Sequence, residues 1–246
     1  IFTPMDAALA EGGVAHEGPT AARLGLPGIP ETAETVALAR DLLLIEQTGV
    51  RAHFSGLSSA RAIDMLADAQ ARGLPITADV AMYQLLLCDE DLDGYSSLLH
   101  VMPPLRSSSD RRALRQAVQS GVIQAIASHH QPHESEAKRV PFAASAPGIS
   151  SVEILLPLAL TLVADGLLEL PALLARLTSG PASALGLPAE RLPVGDSADL
   201  LLFDPAGTTE IGSNWLSRGN NCPFIGQSAP GRVSHTLCQG RPVYRA

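Results

Sequence analysis

Short apolar runs alternate with amphipathic helical segments along most of this chain, and this alternation constrains the fold more than any other feature. The runs at 51–56, 75–80 and 122–130 have the length and apolar character of strands that are buried on both faces. Segments with helical periodicity lie between them, at 57–73 and 107–121. Because strands that alternate with helices pair in parallel, the sequence predicts a (β/α) barrel or part of one.

Local signals place the ends of these predicted helices. Ser58 or Ser59 can cap the helix within 57–73, and Gly73 ends it. The next helix has serines and an aspartate at its start and Gly121 at its end. Further strand and helix signals extend the alternation in both directions: a strand at 1–5 and helices at 29–49, 148–166 and 170–186.

The hydrophobic pattern of the sequence changes after about Gly186. Helical periodicity stops, and two strand-like stretches at 195–205 and 231–245 flank a segment rich in Gly and Asn. This change predicts two domains: a partial (β/α) barrel over residues 1–188 and a small β-domain over residues 189–246.

Bulk properties exclude several classes of function. The formal net charge of −8 argues against a nucleic-acid binder, which needs clustered Lys and Arg to contact phosphates. The long apolar run at 154–170 is interrupted by Pro157 and by Asp165, so no membrane span is expected. Cys88, Cys222 and Cys238 are widely spaced, which indicates packing residues in a reducing cytoplasm rather than disulfides.

The stretch IASHHQPHE (126–134) is chemically the richest part of the chain. It follows a predicted strand, and functional groups of a parallel barrel lie at the carboxyl ends of the strands. His129, His130 and His133 are therefore candidate zinc ligands. The alternative is that they form hydrogen bonds within a loop and bind no metal, and His53 in the middle of a strand is expected to be a packed, hydrogen-bonded residue. The acidic run Asp89–Asp93 is expected to be a solvated helix start.

Several motifs resemble the dihydroorotase branch of the amidohydrolase superfamily. They are GLPGIPETAETVALARDLLLIEQTG, GLPITADVAMYQLLLCDEDL, VMPPLRSSSDRRAL and HHQPHESEAKRVPFAASAPGISSVEILLPL, and the tail from VGDSADLLLFDP is similar to the small composite β-domain of that superfamily. The resemblance covers nearly the whole chain in order. It implies an amidohydrolase-type (β/α)8 TIM barrel and, in active members, metal-dependent ring closure of carbamoyl aspartate to dihydroorotate.

The chain departs from the pattern of active members at the metal positions. Active members carry D-H-A-P-H where this chain has HHQPH, so the Asp that binds metal and moves a proton falls on His129. The family's strand-end His falls on Gly56, and its T-P-H-H turn reads AMYQ at 81–84. The expected His near the start falls on Thr3 or Pro4. The H-x-H of the first barrel strand would lie before residue 1, as would the Arg and Asn that hold substrate.

What remains of the family's site is small. The resemblance assigns substrate contacts to His133 and to the turn containing Pro147 and Gly148, and it leaves no catalytic residue. An Asp offsets metal charge and shuttles a proton, whereas a neutral imidazole at position 129 brings no charge. The resemblance therefore favours a degenerate metal site without a cofactor.

Three hypotheses follow. The first is a catalytically inactive dihydroorotase-like protein of pyrimidine biosynthesis that supports assembly of aspartate transcarbamoylase, because some bacterial relatives with this pattern are inactive partners of that enzyme's catalytic chain. It implies a homo- or hetero-oligomer in the cytoplasm. The second is an active zinc-dependent dihydroorotase or related cyclic amidohydrolase, completed by ligands upstream of residue 1. The third is a barrel that binds a sugar or another metabolite unrelated to pyrimidines.

Overall fold

The structure, a computed structural model, describes residues 1–187, 194–195, 197–212 and 215–246. Strands and helices alternate through the first half, as the sequence predicts. The strands there are β1 (Ala15–His16), β2 (Gly28–Ile29), β3 (Ala52–Phe54), β4 (Ile76–Ala81) and β5 (Ala125–Ala127). The helices of this half are α1 (Pro19–Leu24), α2 (Glu31–Thr48), α3 (Ala60–Ala71) and α4 (Ser108–Ser120).

Helices follow one another after β5, and strands return near the end of the chain. The helices are α5 (Leu155–Ala164), α6 (Leu170–Leu177) and α7 (Ser179–Leu185), and the strands are β6 (Leu200–Glu210), β7 (Ser228–Cys238) and β8 (Arg241–Arg245). No helix among the described residues combines the length and the apolar character that crossing a membrane requires.

Helix ends follow the local chemistry of the sequence. Ser59, rather than Ser58, caps α3 by accepting a hydrogen bond from the Ala62 amide. Ser107 and Asp110 form a reciprocal capping box at the start of α4. Gly121 ends α4 in the left-handed conformation that a glycine adopts without a Cβ penalty. The predicted helices α3 and α4 are confirmed.

Strands β3, β4 and β5 form a parallel sheet in that order. Ala52 pairs with Ile76, and Asp79 pairs with Ala125. Helix α3 connects β3 to β4 and α4 connects β4 to β5, which confirms the predicted parallel pairing through helical crossovers. The strand predicted at 1–5 is wrong, because this segment pairs only through one bridge between Phe2 and Phe54.

The C-terminal strands form a separate antiparallel sheet in the order β6–β7–β8. Strand β6 continues to Glu210, past the predicted end at 205, because the register shifts between Asp204 and Thr208 and the ladder then resumes. The predicted domain boundary at 188/189 lies outside the described residues, and the division into two domains stays a prediction.

Burial corrects two local predictions in part. Glu90, Asp91 and Asp93 are exposed at a short 3-10 helix, as expected of a solvated helix start. Asp89 differs, because it is 5% exposed and its amide donates to the Arg106 carbonyl. Cys88 and Cys222 are buried, as expected of packing residues, but Cys238 is exposed because it ends β7 at the turn into β8.

Helix α7 packs closely against the residue that precedes β5, and Gly180 makes this approach possible. A Cβ at this position would lie 2.0 Å from the Gln124 carbonyl oxygen and 2.9 Å from that of Ala175. Both are backbone atoms, so α7 must move. We expect Gly180→Ala to lower the free energy of unfolding by about 2–3 kcal/mol, measured by urea denaturation.

Gly18→Ala is the matched control, because its Cβ would make only ordinary contacts, at 3.6 Å and beyond, with the His16 ring. The control should change the free energy of unfolding by less than about 0.5 kcal/mol. Equal small effects of both substitutions would contradict the close approach of α7.

Candidate functional site

Polar side chains from three neighbouring strands meet at the carboxyl edge of the parallel sheet. His53 lies in β3, Asp79 lies in β4, and His129 follows β5. The carboxyl ends of parallel strands lie at one edge of a sheet, which is where functional groups of such folds collect. The geometry at this edge therefore decides what the site can do.

Asp79 is the centre of this cluster and is 7% exposed. His53 donates from Nε2 to Oδ2 at 3.0 Å, and His129 donates from Nε2 to Oδ1 at 3.1 Å. The Gly56 amide donates to the same Oδ1 at 2.8 Å. Burial alone would raise the pKa of Asp79, but hydrogen bonds from His129 and His53 outweigh burial and hold that pKa well below its ordinary value. The carboxylate is therefore ionised and occupied by three donors.

His53 is held from both sides of its ring. Its Nδ1 lies 2.7 Å from Thr77 Oγ1 while Nε2 donates to Asp79. The side chain is 9% exposed. The expectation that His53 is a packed, hydrogen-bonded residue is confirmed, and its partner explains why an imidazole is tolerated inside β3.

The His129 ring occupies the space beside Gly56. His129 has a φ of 46°, a left-handed conformation that is uncommon outside glycine. A Cβ added to Gly56 would lie 2.7 Å from His129 Cε1. Position 56 is where the family resemblance places a metal-binding His, so a side chain at 56 and the observed His129 ring compete for one volume.

A double-mutant cycle tests this competition. Gly56 has a φ of 75°, so Gly56→Ala should lower the free energy of unfolding by about 2 kcal/mol, about half from backbone strain and half from the ring contact. In the His129→Ala background only the backbone part, about 1 kcal/mol, should remain. Urea denaturation of the four proteins measures the coupling, and identical costs in both backgrounds would contradict the account.

The other two histidines of the HHQPH stretch face different partners. His130 Nδ1 accepts hydrogen bonds from the amides of Ser151 at 3.0 Å and Val152 at 3.2 Å. His133 Nε2 donates to the Pro147 carbonyl at 3.0 Å. The structure thus does not bring His129, His130 and His133 together around one centre.

The loop of His133 and the turn of Pro147 and Gly148 do come together. Asn221 joins them: its Oδ1 accepts from the His133 amide, and its Nδ2 donates to the carbonyls of Gln131 and Gly148. The structure therefore brings together the three residues to which the resemblance assigns substrate contacts. Their role in binding stays a prediction.

The segment at 81–84 faces the core. Met82, Tyr83 and Gln84 are each at most 2% exposed. Gln84 donates to the carbonyls of Pro103 and Pro104, while the Tyr83 hydroxyl has no hydrogen-bond partner among the described residues. Burial and the nearby charge of Asp79 raise the pKa of Tyr83 above its ordinary value. These side chains offer no replacement for the family's paired histidines.

The donor set at this edge does not fit the zinc that the resemblance implies for active members. Asp79 is the carboxylate among the clustered side chains, and two imidazole N–H groups and one amide already occupy it. Over the described ranges, no group of three or more His, Cys, Asp or Glu side chains is placed to hold a metal ion. The three donors stabilise the buried negative charge of Asp79, but these side chains do not converge on a point where a metal ion could bind.

Sequence reasoning missed Asp79 and Asn221. The signal for Asp79 was an acidic residue inside the otherwise apolar strand ITADVA, since a buried carboxylate needs partners. Asn221 carried no local signal, because its partners lie 73 to 90 residues away along the chain.

Comparison with known proteins agrees with this fold. The family model described as "Amidohydrolase family" matches residues 12–243. A dihydroorotase-like protein of Pseudomonas aeruginosa is 68% identical over 240 residues, which are 98% of this chain and 57% of that protein. A dihydroorotase of Syntrophus aciditrophicus is 42% identical, with 98% and 57% of the two chains covered. The present chain thus spans little more than half the length of these relatives.

A solved structure shows the same architecture. The L-hydantoinase (dihydropyrimidinase) from Arthrobacter aurescens superimposes with a TM-score of 0.83 at 26% sequence identity. The match covers 89% of this chain and 50% of the hydantoinase. The fold is therefore a mixed α/β fold of the amidohydrolase type, and the chain belongs to the amidohydrolase family.

Proposed function

We propose that this chain is a non-catalytic, dihydroorotase-like protein of pyrimidine biosynthesis. The observation that carries the proposal is the His129 ring, which fills the volume beside Gly56 and donates to Asp79. This one side chain stands where active relatives are expected to have an Asp, and it occupies the room that a ligand at position 56 would need. The similarity to a protein named dihydroorotase-like supports the pyrimidine role.

The chemistry of the site supports inactivity. Metal-assisted amide hydrolysis needs a metal that lowers the pKa of bound water and a group that moves the proton. His129 supplies no negative charge, and Asp79 is held as an acceptor of three hydrogen bonds. Removing those donors to free the carboxylate would leave an unpaired buried charge, which costs several kcal/mol.

Two finer features of the fold belong to the same proposal. We place the parallel strands β3–β5 in a (β/α)8 barrel, because each crossover is helical and the hydantoinase match spans most of the chain. We assign the antiparallel strands β6–β8 to the small composite β-domain. The barrel is a scaffold in this account, and its strand edge carries a hydrogen-bond cluster instead of a metal centre.

The proposed role is to support assembly of aspartate transcarbamoylase through its catalytic chain. The test is to mix the purified protein with that chain from the same organism and to measure mass by sedimentation. We expect a single complex larger than either component, and a gain in transcarbamoylase activity on mixing. Independent sedimentation, with a fully active transcarbamoylase that lacks this protein, would contradict the partnership.

We propose a cytoplasmic location, without nucleic-acid partners. Three free cysteines are typical of a protein in a reducing compartment. The net charge of −8 disfavours binding to the negatively charged phosphates of a nucleic acid. Fractionation of cells with an antibody should place the protein with cytoplasmic enzymes, and recovery with membranes or with DNA would contradict this assignment.

The second candidate function is an active zinc-dependent dihydroorotase or related cyclic amidohydrolase. The 42% identity to a protein named dihydroorotase favours it, as does the similarity to a hydantoinase. In this alternative, ligands from polypeptide outside residues 1–246 would join His129 after its ring leaves Asp79. The two candidates differ in turnover of carbamoyl aspartate and dihydroorotate.

A further inference from the structure

A cleft with two cationic side chains shares no residue with the Asp79 cluster. It has a volume of about 430 Å³ and is lined by residues 95–98, 135, 138–139 and 220–221. Lys138 and Arg139 bring two positive charges, and none of the lining residues is acidic. The chain as a whole has a net charge of −8, whereas the charged residues that line this cleft are both positive.

Lys138 is a buried cation without a counter-ion. The residue is 8% exposed, and its Nζ donates to the carbonyls of Ser97 at 3.0 Å and His100 at 3.2 Å. An ammonium has three donors, so one remains for another acceptor. No described carboxylate lies within ion-pair distance, and burial lowers the pKa of Lys138 to about 8. A buried charge of this kind is stabilised by an anion.

Further donors surround the same cleft. Arg139 and Asn220 are exposed and Ser96 is half-buried. Across the described part of the chain, none of these three side chains makes a hydrogen bond. Asn221 is different, because its side-chain amide already makes three hydrogen bonds: Oδ1 accepts from the His133 amide, and Nδ2 donates to the carbonyls of Gln131 and Gly148. The free donors therefore come from three separate segments and face one volume.

We propose that this cleft binds a phosphate group, either free phosphate or a phosphate ester. A tetrahedral anion offers several acceptor oxygens in different directions, which suits an ammonium, a guanidinium, an amide and a hydroxyl from three segments. The anion also supplies the counter-charge that Lys138 lacks. The site is independent of the proposed inactivity, because it uses none of the residues of the Asp79 cluster.

Calorimetric titration of the purified protein with inorganic phosphate tests the site. We expect one saturable site per chain, and we expect Arg139→Ala to weaken binding by about tenfold, since a charge-assisted contact is lost. Arg112→Ala is the matched control, because Arg112 is an exposed arginine outside the cleft. The control should bind phosphate as the unchanged protein does.

Lys138→Met should abolish binding, but it also removes two hydrogen bonds from Nζ to backbone carbonyls. The exposed Arg139 therefore carries the test independently of folding. Methyl phosphate in place of inorganic phosphate separates the two sources: tighter binding of the ester indicates an ester ligand, and weaker binding indicates free phosphate. The proposal is overturned if phosphate shows no saturable binding, if Arg139→Ala binds with unchanged affinity, or if acetate binds equally well.

Discussion

Arg106→Met is expected to lower the free energy of unfolding by about 3–5 kcal/mol, because it leaves a buried carboxylate without its charge partner. Arg106 and Glu34 are 2% and 0% exposed, and Arg106 Nη2 lies 3.3 Å from Glu34 Oε2. Arg106 also donates from Nε to Ser58 Oγ at 3.0 Å and from Nη1 to the Ile29 carbonyl at 3.3 Å. One side chain thus joins β2, α2 and the loop after β3.

His16 completes this network and reports on it. Its Nδ1 lies 3.2 Å from Arg106 Nη1, and burial together with the Arg106 charge lowers the pKa of His16. Loss of the arginine should therefore raise the pKa of His16 toward its ordinary value, which NMR titration can follow in any variant that remains folded.

Two companion variants separate charge from shape. Arg106→Lys keeps the charge but loses the fork of donors, and it should cost less than Arg106→Met. The double variant Glu34→Leu/Arg106→Met removes both charges and should be more stable than Arg106→Met alone. Urea denaturation measures all three, and a cost below about 1 kcal/mol for Arg106→Met would show that the pair does not hold these elements together.

Asp79→Asn is expected to lower the free energy of unfolding by about 3 kcal/mol at pH 7, because three donors lose their ionised acceptor. The amide is nearly the same size as the carboxylate, so the substitution removes charge without opening a cavity. In the natural protein, His53 and His129 each donate to one carboxylate oxygen of Asp79. The Asn side chain is uncharged and has only one oxygen, so it cannot accept both hydrogen bonds in this way. Thermal or urea denaturation provides the measurement, with Asp68→Asn on the outer part of α3 as a matched control.

The stabilising contribution of Asp79 should depend on pH in a defined direction. The pKa of Asp79 is lowered on folding, so its contribution is complete above the unfolded-state value of about 3.9 and is lost as the pH falls through the folded-state value. Below about pH 3.9, the difference in free energy of unfolding between the natural protein and Asp79→Asn should narrow by about 1.4 kcal/mol per pH unit as the pH falls. A difference that does not narrow below about pH 3.9 would contradict an ionised Asp79.

Much of the fold could be predicted because its signals are local. The ends of α3 and α4 follow from Ser59, the Ser107–Asp110 box and Gly121, all within a few residues of the helices they limit. The parallel order of β3–β5 follows from alternation alone. Strands β1 and β2 were not predicted, because pairings of two residues leave no periodic pattern.

The candidate site could be predicted only in part. The HHQPH stretch and the position of His129 were visible, since they follow an apolar run. The Asp79 cluster was not, because its members are 26 and 50 residues apart in the chain and only the sheet brings them together. Arg106 was missed for the same reason: nothing near PPLR indicates that its partners are Glu34 and His16.

The most direct measurement is the rate at which the purified full-length protein interconverts carbamoyl aspartate and dihydroorotate in the presence of added zinc. With His129 donating to Asp79 and filling the space beside Gly56, the account predicts a rate no greater than that of the same mixture without protein. Saturable turnover, accompanied by stoichiometric bound zinc, would contradict it and would establish the zinc-dependent enzyme instead.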